Sequence, residues 1–222
     1  MTTAAFDAPR TRAWMRRFAD SVYATEAELT ALDQRAGDGD FGTNLAAGVR
    51  AAGLRLDRTD EPAGPADIFS AMGTAFLDEI GGTSGPLFGL LFQALSRAAA
   101  DSGPHLTTAA LAEGTAQGLA AIRRVGNASP GDKTLIDALD PAAAALRATR
   151  TAPLATALVT AADGAWRGVR DTASLPARMG RASYLGERAT GIPDPGAVGI
   201  ALLFASAAGV VPALGPHLRP TG

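Results

Sequence analysis

The chain has 222 residues, with 22 Asp and Glu against 20 Lys and Arg, a net charge of −2, two histidines and no cysteine. That length supports a substantial buried core, and the even charge balance leaves no basic footprint for nucleic acid. Without cysteine there is no disulfide, thiolate nucleophile or zinc–thiolate centre, and the setting expected is cytoplasmic.

Alanine, leucine and arginine abound while aromatic and β-branched runs are scarce, a composition for helix rather than sheet. Residues 11–29 carry Trp14, Phe18, Val22 and Tyr23 at helical spacing, predicting a first helix. An Asp- and Gly-rich loop follows, and a second helix is expected over 43–56 with Leu45, Val49 and Ala52 turned inward. Residues 57–65 are polar and proline-bearing, hence a loop. Pro65 suits the first turn of a third helix striped by Ile68, Met72, Ala75 and Phe76, which stops at the glycines of 81–85.

Pro86 opens a fourth helix, apolar nearly all round and so deeply buried. Thr107 or Thr108 caps a fifth, which runs to Arg124. A sixth passes through Leu135, Leu139 and Leu146, with a kink or restart implied at Pro141. A seventh covers 153–169, and Pro195 opens the eighth after a long connection over 172–193. No strand and no repeat period is visible. Short links between sequential helices predict an all-α fold: an eight-helix antiparallel up-and-down bundle or closed barrel, forming one domain over 1–222.

Residues 196–215 carry no charge and approach the length of a membrane span, about 20 residues. Their small side chains, Pro212 and the lack of an aromatic belt read better as a tightly packed core helix, so no membrane is expected. No apolar run follows Arg10, Arg12, Arg16 and Arg17, so these residues do not read as a signal peptide. His105 and His217 each sit beside a proline near a segment end and read as surface residues.

The chemistry concentrates in Leu32-Asp33-Gln34-Arg35-Ala36-Gly37-Asp38-Gly39-Asp40-Phe41-Gly42-Thr43-Asn44. Its glycines let the loop fold tightly, and three carboxylates held close repel unless a cation lies between them. Hard oxygen ligands suit Mg²⁺, whose shell is commonly completed by phosphate. The alternative is a solvated Asp-Gly turn. Gly37-x-Gly39-x-x-Gly42 matches the dinucleotide fingerprint in letters only, since a helix rather than a strand precedes it. An EF-hand fails because Gly42 and Val49 occupy ligand positions.

Gly81-Gly82-Thr83-Ser84-Gly85-Pro86 lies at a helix start, where amides and hydroxyls can meet an anion or simply form a capped turn. Gly131-Asp132-Lys133-Thr134 is a near miss to a Walker A loop, spoiled by Asp132 and by the missing strand. Arg178, Arg181 and Arg188 in the long connection suit phosphate or plain surface charge.

Together these stretches resemble the L subunit (DhaL) of dihydroxyacetone kinases. The matching pieces are Leu32-Asp33 with Gly37-Asp38-Gly39-Asp40, then Gly81 to Leu87, then Gly131 to Thr134, then Gly180 to Arg188 followed by Asp194-Pro195-Gly196-Ala197. They occur in the family's order and span nearly the whole chain. The resemblance implies an eight-helix barrel binding ADP or ATP at one end, with Asp33, Asp38 and Asp40 holding two Mg²⁺ ions. It implies phosphate contacts from Phe41, Gly42, Thr43, Asn44, Thr83 and Ser84. Gly126 and Leu135 fall where the family closes over adenine, and Arg181, Asp194, Pro195 and Gly196 match further nucleotide contacts. The family commonly reads Gly-Asp-x-Asp-His-Gly, and Phe41 stands in place of that histidine.

The implied activity is phosphoryl transfer to a small hydroxyketone such as dihydroxyacetone, or a related sugar or polyol, held on a separate K-type subunit. The nucleotide is either consumed ATP or a resident ADP rephosphorylated by a phosphotransferase-system phosphocarrier. The alternative is a non-catalytic nucleotide-binding regulatory module.

Overall fold

The computed structural model describes residues 6–58, 64–79, 82, 84–179, 183 and 189–219. Among the described residues the chain forms nine helices and no strand: α1 (Ala8–Ala36), α2 (Phe41–Arg58), α3 (Pro65–Glu79), α4 (Ser84–Asp101), α5 (Thr108–Gly126), α6 (Ile136–Ala148), α7 (Leu154–Thr172), α8 (Pro195–Ala205) and α9 (Gly215–Leu218). Each of the first seven packs against its successor, and α8 returns against α1, closing the ring. The all-α expectation of eight antiparallel helices is met by α1 to α8; the ninth helix, of four residues, was not foreseen.

α1 starts where Asp7 accepts the N–H of Arg10 at 3.1 Å and runs past the expected end at residue 29. Nothing between Thr30 and Ala36 breaks a helix, and Leu32 and Ala36 continue its buried stripe. Asp33 therefore lies on the last turn of a helix rather than in the loop, a correction to the sequence reading. Only Gly37 to Asp40 link α1 to α2.

Small residues set the ring's width. Gly48 lies against the ring of Phe76, and Gly164 and Gly168 of α7 press on α6. Pro141 does not restart α6, which is helical on both sides of it. Having no N–H, Pro141 cannot donate to the carbonyl of Asp137 four residues earlier. That same carbonyl oxygen fills the space a Cβ on Gly168 would need, so the glycine's Cα–H faces it.

Inside the ring, Trp14, Phe18, Phe69, Phe76, Phe88 and Phe92 are fully buried. Phe76 stacks on Phe88 with centroids 5.7 Å apart, and Trp14 meets Phe69 edge-on at 5.9 Å. Polar groups of α1 receive the end of the chain. Trp14 Nε1 donates to the Leu203 carbonyl at 2.7 Å, and Arg17 donates to the carbonyls of Ser206 and Ala207, each at 2.8 Å. Ser21 accepts the N–H of Val211, and the Glu28 carboxylate accepts that of Leu214.

His105 is exposed, as expected, but His217 is not a free surface residue. Its ring stacks on Trp166 at 4.5 Å and is half-buried, and burial followed by the charge of Arg170 pulls its pKa below the usual histidine value. Among the described residues no helix is long and apolar enough to cross a membrane. Of the uncharged stretch 196–215, the part up to Ala205 lies in the 11-residue α8, which closes the ring with its residues from Ala197 to Phe204 buried, while 206–214 are not helical.

Candidate functional site

Alternating helix directions bring the C-terminal ends of α1 and α5 and the N-terminal ends of α2, α4, α6 and α8 to one end of the ring, around a cavity of about 230 Å³. Four helix starts face one space with the positive ends of their dipoles, although the amides of Phe41, Ile136 and Ala197 are already bonded within the chain. An anion is the natural occupant of that side.

Beside the start of α2 stand the carboxylates. Oxygens of Asp33, Asp38 and Asp40 lie within 4.8 Å of one another. Asp33, 8% exposed, is fixed by the backbone N–H of Phe41, which donates to Oδ2 at 3.0 Å. The link turns through Gly39 at φ +82°, a left-handed angle that favours glycine, and this lets exposed Asp38 and Asp40 flank Asp33. Burial raises the Asp33 pKa first, opposed by the Phe41 N–H; the charges of Asp38 and Asp40 add to the raise. Such a cluster is unfavourable by itself and is relieved by a cation. An all-carboxylate donor set with no His or Cys fits a hard ion such as Mg²⁺.

A second wall comes from the turn between α5 and α6. Asn127 ends α5 in the left-handed region at φ 48°, and the Asp137 carboxylate ties the turn down by accepting the N–H of Gly131 and, at 2.8 Å, that of Thr134. Lys133, 2% exposed, turns its ammonium inward rather than to solvent. It donates to the carbonyls of Thr172 at 2.7 Å and Ile192 at 2.6 Å. Burial pulls its pKa below the usual lysine value, while Asp194 and Asp137 pull it back.

Asp194 caps α8, accepting the N–H of Ala197 at 2.7 Å. Burial at the cavity wall pushes its pKa up to about 7; the Ala197 N–H and Lys133 oppose that rise, and Asp137 and Asp33 reinforce it. The rest of the wall is apolar, with Leu87, Ile122, Leu135, Ile136 and Met179 lining the cavity beside Gly126.

The cavity thus gathers Asp33, Asp38, Asp40, Phe41, Ser84, Gly126, Leu135, Asp194, Pro195 and Gly196 from the sequence-based set. Gly42, Thr43 and Asn44 sit on the first turn of α2 and are not among its lining residues. Gly42 packs on the backbone of Glu26 and the side chain of Thr30, and the Asn44 amide lies beside Gly82 at the rim. Thr83 and Arg181 fall outside the described residues. Lys133 and Thr134 line the cavity without having been singled out as site residues. Their signal was the Gly131-Asp132-Lys133-Thr134 run, which fails as a Walker loop and entered only as one of the pieces that carry the family resemblance.

The family model described as the DAK2 domain matches residues 35–209. The chain is 38% identical over 192 residues to the PEP-dependent dihydroxyacetone kinase 1, ADP-binding subunit DhaL, of Listeria innocua, covering 86% of this chain and 90% of that protein. It is 39% identical over 194 residues to the L-erythrulose 1-kinase of Mycolicibacterium smegmatis, covering 87% of this chain but 33% of the relative. Among solved structures, the dihydroxyacetone kinase from C. freundii in complex with AMP-PNP and Mg²⁺ superposes with a TM-score of 0.63 at 30% identity, covering 90% of this chain and 33% of that one. The chain thus spans most of a separate DhaL subunit and about a third of the longer kinases.

Proposed function

The chain belongs to the DAK2 domain family, and we propose that it is the nucleotide-binding L subunit of a dihydroxyacetone-type kinase. The observation that carries this reading is the meeting, in one cavity, of three converging carboxylates, four helix N-termini and an apolar wall. Those are the complementary parts for divalent cations, a phosphate chain and a flat base. The whole of 1–222 is taken as one such domain, working in the cytoplasm.

In this reading Asp33, Asp38 and Asp40 hold two Mg²⁺ ions, which supply charge neutralisation to the bound phosphates. The starts of α2 and α4 face the phosphate chain at Phe41 and Ser84, while Gly42, Thr43, Asn44 and Thr83 are proposed as phosphate contacts on the family's pattern alone. Ile122, Gly126, Leu135 and Met179 enclose the base, and Asp194, Pro195 and Gly196 complete the nucleotide's surroundings; Arg181 is proposed as a further contact on the family's pattern alone. Phosphoryl transfer asks a protein mainly for positioning and electrostatic stabilisation, and this chain's residues are of that kind. Phe41 directs its ring into the core and its N–H to Asp33, so its contribution is to the shape of the metal loop.

The acceptor is a terminal hydroxyl of a small hydroxyketone, dihydroxyacetone or a close relative, held on a separate K-type subunit. Support comes from the L. innocua protein, named as an ADP-binding subunit of a PEP-dependent dihydroxyacetone kinase, and from the M. smegmatis relative, named as an erythrulose kinase. A phosphocarrier that regenerates ATP from resident ADP is the matching second partner; the other mode consumes free ATP.

Titration calorimetry with Mg²⁺ and ADP tests the proposal. The wild type should bind, and the doubly substituted Asp38→Ala, Asp40→Ala chain should not, while keeping its helical circular dichroism. Absence of heat with both ADP and ATP for the wild type would end it. Native mass spectrometry separates the modes, since retained ADP marks the resident cofactor and an empty site the exchangeable substrate.

A further inference from the structure

Lys133 combines two features that a sequence usually avoids. Its backbone adopts φ +62°, in the left-handed region that favours glycine, and its charged side chain is buried. An apolar side chain of similar length would fill the same volume with no charge to bury, and glycine would relieve the backbone. Neither could donate the hydrogen bonds found there.

Those bonds go to a particular place. Thr172 is the last residue of α7, and Ile192 lies two residues before Asp194, the cap of α8. The two carbonyls are therefore the feet of the connection between the helices. The feet are also joined directly: Gly191 donates its N–H to the Ala173 carbonyl at 2.7 Å, and Asp194 donates its own to Thr172 Oγ1 at 2.9 Å. The Lys133 ammonium bridges both from the α5–α6 turn, which also touches the connection through an ion pair of Arg178 with Asp132 and a backbone bond between the same two residues.

We propose that Lys133 is a positioning residue for the nucleotide site, stapling the C-terminus of α7 to the entry of α8 so that Asp194 and the first turn of α8 keep their place in the cavity wall. The inference rests on the nucleotide-binding reading for its functional consequence, but not for the staple itself. Lys133 differs here from a Walker lysine, whose ammonium is spent on the phosphates; two of its three donors are already committed to backbone carbonyls.

The test uses Lys133→Met, which keeps length and removes the donors, Lys133→Arg, which restores donors on a bulkier head, and Thr172→Val, which removes the Oγ1 partner of Asp194. Without nucleotide, hydrogen exchange at the amides of Gly191, Asp194 and Ala197 should accelerate at least tenfold in Lys133→Met, while amides in the middle of α3 and α4 stay unchanged. Lys133→Arg should recover part of the protection. Calorimetry with Mg²⁺ and ADP should then show Lys133→Met weakened about tenfold or more, Lys133→Arg less so, and Thr172→Val weakened in the same direction.

Unchanged exchange at the three amides in a folded Lys133→Met overturns the staple. Accelerated exchange with wild-type ADP affinity overturns its role in positioning the site. If Lys133→Met does not fold, Thr172→Val carries the test: unchanged exchange at Asp194 together with unchanged affinity overturns the proposal. Failure of the wild type to bind ADP sinks the nucleotide reading instead, and the exchange data still decide the staple.

Discussion

Asp33 Oδ2 accepts the backbone N–H of Phe41 at 3.0 Å, so the end of α1 and the start of α2 are joined by the side chain that also stands at the centre of the carboxylate cluster. One residue thereby holds both the scaffold and the charge. Two substitutions separate them. Asp33→Asn keeps an oxygen that can accept from Phe41 and removes the charge; it should fold with unchanged or slightly raised stability and lose Mg²⁺-dependent ADP binding. Asp33→Ala also orphans the Phe41 N–H and should be destabilised by about 1–3 kcal/mol. Urea unfolding paired with calorimetry reads both effects.

The Asp194 carboxyl titrates at about 7 in the folded chain and near 3.8 when free. Between those values the folded protein keeps a proton that the unfolded chain has released. Stability of the metal-free protein should therefore fall as pH rises through that window and level off above it, with a slope of at most about 1.4 kcal/mol per pH unit from this group. Asp194→Asn should flatten the curve; a residual slope of the same sign is expected from Asp33, whose pKa is also raised. Chemical unfolding across the window in the presence of a chelator checks the sign.

Gly168→Ala should be costly although alanine is the better helix former. The added methyl meets the Asp137 carbonyl and the Ala138 Cα, backbone atoms that can yield only by moving α6 from α7. A loss of about 1–3 kcal/mol or more follows, which for a chain of this size lowers the melting temperature by roughly 2–4 °C per kcal/mol. Gly53→Ala, on an open face of α2, is the control and should leave the melting temperature unchanged or raise it.

Arg178→Ala should do little to stability. Its side chain is 64% exposed and its guanidinium stands a long 3.7 Å from the half-buried Asp132 carboxylate, while its backbone N–H bonds the Asp132 carbonyl whatever the side chain. Loose, partly exposed pairs of this kind contribute less than about 1 kcal/mol. A larger drop in thermal melting would show that the two loops depend on that pair.

The ring was legible because each helix announces itself locally: Pro65 and Pro195 at first turns, Thr107 as a cap, glycine runs at the ends. Helix lengths were less so. The first helix's pattern fades at Leu29, ahead of the Asp-Gly cluster, whereas Leu32 and Ala36 are held in the helix by what they pack against. Of the candidate site, the carboxylate cluster was readable from the residues themselves, since aspartates set among glycines in so short a stretch can converge; Gly126, Leu135 and Asp194 were reached only through the family resemblance. Lys133 was not readable, since its role depends on two carbonyls 39 and 59 residues downstream, a relation that no local pattern carries. The stacking of His217 on Trp166 was hidden for the same reason.

Closing the ring through α1 and α8 has a consequence for the order in which the chain can be made. Trp14 finds its carbonyl partner 189 residues later, at Leu203, and Arg17, Ser21 and Glu28 wait for residues 206–214. During synthesis the first helix must leave the ribosome with its indole and its polar side chains unmatched. The barrel seals only when its last staves emerge, which makes the growing chain, rather than the finished protein, the species most in need of protection from aggregation.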